Sequence, residues 1–404
     1  MAQQLQLERG DLLQLTPISN SGTIKLLPPG KKRTQKLVTG DDSGQVGCYE
    51  FKKGEPQTVF VANPFEGPIS CVAIGGAVLK KDKIFASHSQ RILGLTKKGK
   101  EFFKLTSSLT EPIRNIVVED TKIWTACEYV YNLYDNGQDT AFFMSRDQIN
   151  ALVIDHVTRE NDFDAILACQ DNRLRVVAGS VLACELPTDA PVTSVAVRAA
   201  DYMRHRKGPT AAVFGMEDGS ISAAHFFPDG TSRTLWVTMD SPKRSLVRCM
   251  QHFDLTKDGN DDIIVGRDDG RLEVYTQDNG IESKTQLSFS RDIGESILSA
   301  ECGLVNNPDF NEIVIASYSG KVLSFTAEPV LQRAQDDNYG RSVQTVNNEN
   351  RIKHLKKELD ELKKQGALPP GSCDHAYIVA APFLIYPRPV VVTDTEQSTK
   401  KRKN

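Results

Sequence analysis

The sequence lacks the usual groupings of the residues from which active sites are built. Its seven histidines, at 88, 156, 205, 225, 252, 354 and 375, stand apart, with no H-x-x-x-H or H-x-x-E-H pattern that would gather ligands on one helix face. The eight cysteines, at 48, 71, 127, 169, 184, 249, 302 and 373, include no C-x-x-C pair, which argues against a zinc site and a disulfide framework alike. Several fall in strand-like apolar runs, where a thiol serves as a small filler. A G-x-S-x-G elbow and a G-x-x-x-x-G-K-[ST] phosphate loop are both missing. Charge is almost balanced, 49 Lys and Arg against 52 Asp and Glu, so no global field favours nucleic acid or anionic lipid. No apolar run reaches the roughly 18 residues of a membrane-spanning helix. Met1–Gly10 is polar, without the apolar centre of a signal peptide. The default expectation is a soluble intracellular protein. Only two tryptophans occur and no W-D or G-H dipeptide, so typical WD40 repeats do not fit. No cofactor and no metal is expected.

What the chain does have is repetition. Ile263-Ile264-Val265 is an apolar run of the kind found in a doubly buried strand. Asp269-Gly270 then allows the positive backbone angles of a tight hairpin. Leu272 and Val274 alternate around Glu273 as a second strand, and Asn279-Gly280 marks the next turn. The same unit recurs at Leu37–Gly54, Ile84–Gly99, Ile123–Gly137, Ile166–Gly179, Ala212–Gly230 and Ile313–Phe325, making seven copies. First turns lie roughly 40 to 50 residues apart, the period of a four-stranded propeller blade. The second and third copies lack the first-turn glycine and are the weakest members. The fold expected is all-β: a seven-bladed β-propeller over residues 10–335, a linker at 336–350, a coiled-coil helix at 351–366 and an irregular tail at 367–404.

The seventh copy has no second hairpin, because Thr326-Ala327-Glu328-Pro329 ends it. Leu12–Leu15, a strand-like piece ahead of the first copy, is expected to supply the missing outer strand and close the ring, which removes exposed sheet edges. Pro28–Arg33 reads as a loop, and long connections such as Asp201–Gly208 are expected on one rim of the disc. Asp254-x-Thr256-x-Asp258-Gly259-x-x-Asp262 approaches a calcium loop, but Thr256 replaces one carboxylate and the other copies lack the motif. A surface turn fixed by Asp and Gly accounts for it better. Arg267-Asp268-Asp269 reads as a solvated turn. Beyond the propeller, Ile352, Leu355, Leu359 and Leu362 follow the a/d spacing of a coiled-coil seam, flanked by charge and stopped by Gly366 and Pro369-Pro370. Two heptads are too short to stand alone in water. The stripe either packs on its own propeller or, the reading its narrowness favours, on a partner. Tyr377–Val392 is apolar but broken by Pro382, Pro387 and Pro389, and Lys400–Lys403 resembles a nuclear or phosphate-binding signal that a solvated end explains as well.

A family resemblance rests on particular residues. Thr34–Asp41 with Phe51–Glu55 resembles the first blade of the seventh Bardet–Biedl syndrome protein family. Lys83-Ile84-Phe85 with Thr96–Lys100, Leu109–Glu111, Tyr129–Asn132 and Leu167–Asp171 follow in the same order. Val265–Gly270 with Glu273-Val274-Tyr275, then Glu312-Ile313-Val314 and Tyr318-Ser319-Gly320, complete a collinear series over roughly residues 10–365. The resemblance implies a non-enzymatic scaffold subunit of the BBSome, a coat-like complex that carries membrane proteins into and out of cilia. It also implies pairing, through Ile352, Leu355, Leu359 and Leu362, with the second Bardet–Biedl syndrome protein. A location in cytoplasm, cilium and basal body follows, with membrane association only through the complex. Family members continue into further C-terminal domains, and the tail after residue 366 does not resemble them. Two alternatives remain: a propeller enzyme with a metal or quinone site in the central channel, and a different trafficking adaptor. The enzyme needs several inward-pointing polar ligands, whereas the expected inner-strand positions are mostly apolar or small.

Overall fold

The computed structural model describes residues 5–328, apart from 31–32, 53, 77–80, 198–208, 239–244, 278–280 and 284. The linker, the Ile352–Leu362 seam, the tail and the Asp201–Gly208 loop therefore lie outside the described residues, as does the Asn279-Gly280 turn. Among the described residues, twenty-eight strands form seven four-stranded antiparallel sheets. The first strands of neighbouring blades touch around the full circle, blade 7 meeting blade 1, so these are the inner strands of a closed seven-bladed propeller.

The burial of each strand follows its place in a blade. Second strands are packed on both faces: every residue of Asp262–Arg267 and of Glu312–Ser317 is buried. That is why the repeat announces itself through runs such as Ile263-Ile264-Val265 rather than through alternation. Outer strands alternate, as in Glu101–Thr106 and Gln138–Met144, because one face meets the next blade and the other meets water. The core is not one mass but seven apolar clusters, one between each pair of adjoining blades. Ile166, Val176 and Leu186 of blade 4, for example, pack on Val192, Phe214 and Phe226 of blade 5.

Gly270 makes the hairpin turn of blade 6 at φ 90°, where a Cβ would be strained. Blade 2, without that glycine, places Ser89 in the same left-handed region at φ 51°. Blade 3 closes its turn instead with Cys127 N donating to Val130 O at 2.8 Å, and none of its turn residues has positive φ.

Blade 7 takes its outer strand from the N-terminus. Glu8–Gln14 pairs antiparallel with Lys321–Thr326, with a bulge between Asp11 and Leu13. The closing strand is thus the expected one, longer and shifted towards the N-terminus compared with Leu12–Leu15. Leu12 is buried with Leu298, Val314 and Val322 on one side and Ile24 and Leu37 of blade 1 on the other.

Candidate functional site

Seven inner strands bring one residue each to a common level of the central channel: Lys25, Ala73, Val117, Val153, Ala196, Gln251 and Glu301. Four are apolar or small, as expected. The other three, on consecutive blades 6, 7 and 1, are not. Lys25 Nζ pairs with Glu301, which also accepts a hydrogen bond from Gln251 Nε2 at 3.1 Å. About a third of the Lys25 side chain faces open space, 32%, and 14% of Glu301, both towards a channel cavity of about 770 Å³. Burial pulls the Lys25 ammonium down, but the Glu301 carboxylate outweighs it and holds the pKa above its usual value. The signal in the sequence is a charge inside a short apolar strand, Lys25 between Ile24 and Leu26 and Glu301 between Ala300 and Cys302.

The inner strands are also stitched to one another. Asn20 Nδ2 donates to Ile69 O at 3.0 Å, Asn150 Nδ2 to Val192 O at 2.9 Å and Thr193 Oγ1 to Val247 O at 2.7 Å. Each bond joins one blade to the next. Thr23 N donates to Ser299 Oγ at 3.0 Å across the blade 7–blade 1 seam. At the channel mouth Arg114 pairs with Glu128 at 3.2 Å and Arg248 with Asp268 at 2.8 Å. Gln170 Nε2 donates to Glu217 at 3.0 Å. Of these channel contacts, Lys25–Glu301, Gln251–Glu301 and Gln170–Glu217 cross from one blade to the next, while the two arginine pairs at the mouth lie within blades 3 and 6. Among the described residues no three His, Cys, Asp or Glu side chains gather at a spacing fit for a metal.

The Asp254–Asp262 motif turns its oxygens onto its own backbone. Asp254 accepts from Asp258 N at 3.2 Å and Gly259 N at 3.0 Å, and Asp262 from Leu255 N at 3.0 Å and Thr256 N at 3.2 Å. The equivalent carboxylates of blades 4 and 7 do the same without the motif. Asp164 takes Thr158 N at 2.7 Å, and Glu312 takes Asn306 N at 2.7 Å. This is a recurrent clasp on the loop between the first and second strands of a blade. Arg267, expected on a solvated turn, is instead fully buried. It donates to Glu273 at 2.7 Å and to the carbonyls of Gly219 at 2.9 Å and Ser245 at 2.7 Å, tying blade 6 to blade 5. Burial pushes the Cys48, Cys127 and Cys249 thiols up to about 12, so they are inert fillers at neutral pH.

On the outer rim the hairpins of blades 2, 4 and 6 lean over the outer strand of the preceding blade. Gly99 at φ 80° lies so close to Phe60 of blade 1 that a Cβ would come within 2.7 Å of its ring. Phe142 N of blade 3 donates to Ser180 Oγ of blade 4 at 3.2 Å, and Trp236 Nε1 of blade 5 to Ile281 O of blade 6 at 2.7 Å. Blade 7 has no such hairpin, and Leu5 N takes its place by donating to Ser288 O of blade 6 at 3.1 Å. The seam residues expected to bind a partner, Ile352, Leu355, Leu359 and Leu362, are not among those brought together here, being outside the described residues.

A family model for the BBS7 beta-propeller matches residues 24–327. BBSome complex member BBS7 of Mus musculus is 34% identical over 363 residues, covering 89% of this chain and 49% of the mouse protein. BBSome complex member bbs-7 of Caenorhabditis elegans is 26% identical over 322 residues, covering 78% of this chain and 44% of the worm protein. The chain spans about half the length of these curated relatives. In solved structures, BBS1N crystallised in complex with ARL6DN and soaked with mercury matches with a TM-score of 0.59 at 12% identity, covering 81% of this chain and 98% of that one. The lead-soaked crystal gives 0.58. Those two are likenesses of fold. The family model spans all but the closing strand of the wheel, and the chain belongs to the BBS7 beta-propeller family.

Proposed function

We propose that the chain is a non-enzymatic scaffold subunit of the BBSome, acting in the traffic of membrane proteins into and out of cilia. Family membership is the observation that carries this reading, since the matched relatives are named as BBSome complex members. The physics of the wheel supports it. Hydrogen bonds and an ion pair on its inner strands join one blade to the next, and its rims offer rigid, loop-decorated surface to neighbours. The subunit works in the cytoplasm, at the basal body and in the cilium, and it reaches membranes through the complex. It pairs with the second Bardet–Biedl syndrome protein through a coiled coil whose seam is Ile352, Leu355, Leu359 and Leu362.

Co-purification of the tagged chain from ciliated cells tests both parts. Other BBSome subunits are expected to come with the wild type, and a preparation without them overturns the scaffold reading. Replacing Leu355 and Leu359 by Asp puts two charges into the seam and is expected to abolish recovery of the second Bardet–Biedl syndrome protein. Undiminished recovery would count against the coiled coil while leaving membership of the complex standing.

A further inference from the structure

Blade 2 carries a charge that the chain as a whole does not. Between Lys81 and Lys104 seven basic side chains face two acidic ones, Asp82 and Glu101, whereas the whole chain holds 49 basic against 52 acidic residues. Asp82 is already shared by Lys97 at 3.4 Å and Lys83 at 3.6 Å, and Lys81 pairs with Glu119 of blade 3 at 2.6 Å. Lys98, Lys100 and Lys104 are exposed, and none of them makes an ion pair with a described residue. Beside them Phe102 leaves 46% of its surface open. Its ring stands edge-on to Phe85 at 5.7 Å, with Lys83 Nζ 5.4 Å from its centroid.

The group is held in place before anything binds. Gly99 N donates to Thr96 O at 2.8 Å, Thr96 N to Lys100 O at 2.8 Å, and Lys100 N to Thr96 Oγ1 at 3.1 Å. That hairpin is wedged against Phe60 of blade 1. The backbone bearing Lys98 and Lys100 is therefore fixed, and less ordering is required of a ligand that meets it. We propose that this corner of blade 2 docks an acidic segment of a partner protein, with carboxylates meeting Lys98, Lys100 and Lys104 and an apolar side chain packing on Phe102. An acidic peptide fits better than a bilayer. The exposed Glu101 between Lys100 and Phe102 works against an anionic bilayer, while an open ring among cations suits a mixed acidic and apolar segment.

The test uses the full chain and a fluorescein-labelled peptide, Glu-Asp-Phe-Glu-Asp-Leu, read by anisotropy against its uncharged counterpart Gln-Asn-Phe-Gln-Asn-Leu. The acidic peptide is expected to bind saturably and the uncharged one not. Lys98→Glu with Lys100→Glu should weaken binding about tenfold or more, and Phe102→Ala several-fold. Arg291→Glu, on the outer strand of blade 6, should leave it unchanged. Unaltered melting temperatures check that the exposed substitutions leave the fold intact. Equal binding of the two peptides, no saturable binding, or an equal loss in Arg291→Glu overturns the proposal. So does binding to phosphatidylserine vesicles, lost in the lysine pair, with no binding of the peptide; that result would give the surface to a membrane.

Discussion

Asp262 shows how one carboxylate can carry a cost that its partners only partly offset. Burial raises its pKa from 3.8 to about 6, against the pull of the Thr256 and Leu255 amides and with a further push from the Asp258 and Asp254 charges. A carboxylate raised in the folded state binds its proton more readily there than in the unfolded chain. The penalty is therefore absent below about pH 4 and grows as the pH rises through about 6, so this group makes folding less stable across that window. Asp262→Asn keeps an oxygen for the amides and removes the charge. Denaturant unfolding at several pH values should show that it flattens the decline between about pH 4 and 6 relative to wild type; an unchanged slope would contradict the assignment. In the sequence the same residue reads as the last ligand of an imperfect calcium loop, because spacing reveals which oxygens are near one another but not whether they converge on a centre or on backbone N–H groups. Arg267 makes the same point from the other side. Next to Asp268-Asp269 it reads as part of a turn, yet it ends a strand buried on both faces and lies between blades.

At the scale of the element, one strand decides whether the sheet array has ends. Glu8–Gln14 covers the edge of Lys321–Thr326, and Leu7 and Leu12 fill two different interblade clusters, blade 6 to blade 7 and blade 7 to blade 1. Losing a buried leucine costs about 2–5 kcal/mol, and the bared edge would add an aggregation hazard. Deletion of residues 1–16 is expected to lower the melting temperature by on the order of 10 °C and to broaden elution in size-exclusion chromatography. An unchanged transition by differential scanning calorimetry would mean that closure does not depend on this strand. The strand was legible from arithmetic, since seven second-and-third-strand hairpins but one outer turn too few leave a strand to be found elsewhere. Its register and its reach to Ser288 were not, because both depend on where blade 6 ends up beside blade 7.

At the scale of the whole wheel, the described residues close into a ring whose channel carries the pair joining its first and last blades, Lys25 of blade 1 and Glu301 of blade 7. Lys25→Met keeps the stem and leaves Glu301 with Gln251 Nε2 as its donor. The expected loss is about 1–3 kcal/mol, between that of an exposed pair and a fully buried one. Adding Glu301→Gln should recover most of it, and chemical denaturation of the single and double variants measures the coupling. Equal stability of wild type and Lys25→Met would show that closure rests on the apolar seams alone. The sequence by itself determined the number of blades, the strands within them and the burial of each second strand, because those follow from short-range period and turn chemistry written along the chain. Only the tertiary structure decided that Lys25, Gln251 and Glu301 share one level of the channel and that Arg267 is an interblade strut. Residues more than two hundred positions apart in the chain become neighbours when a wheel closes, and that closure is a property of seven interfaces acting together rather than of any local stretch.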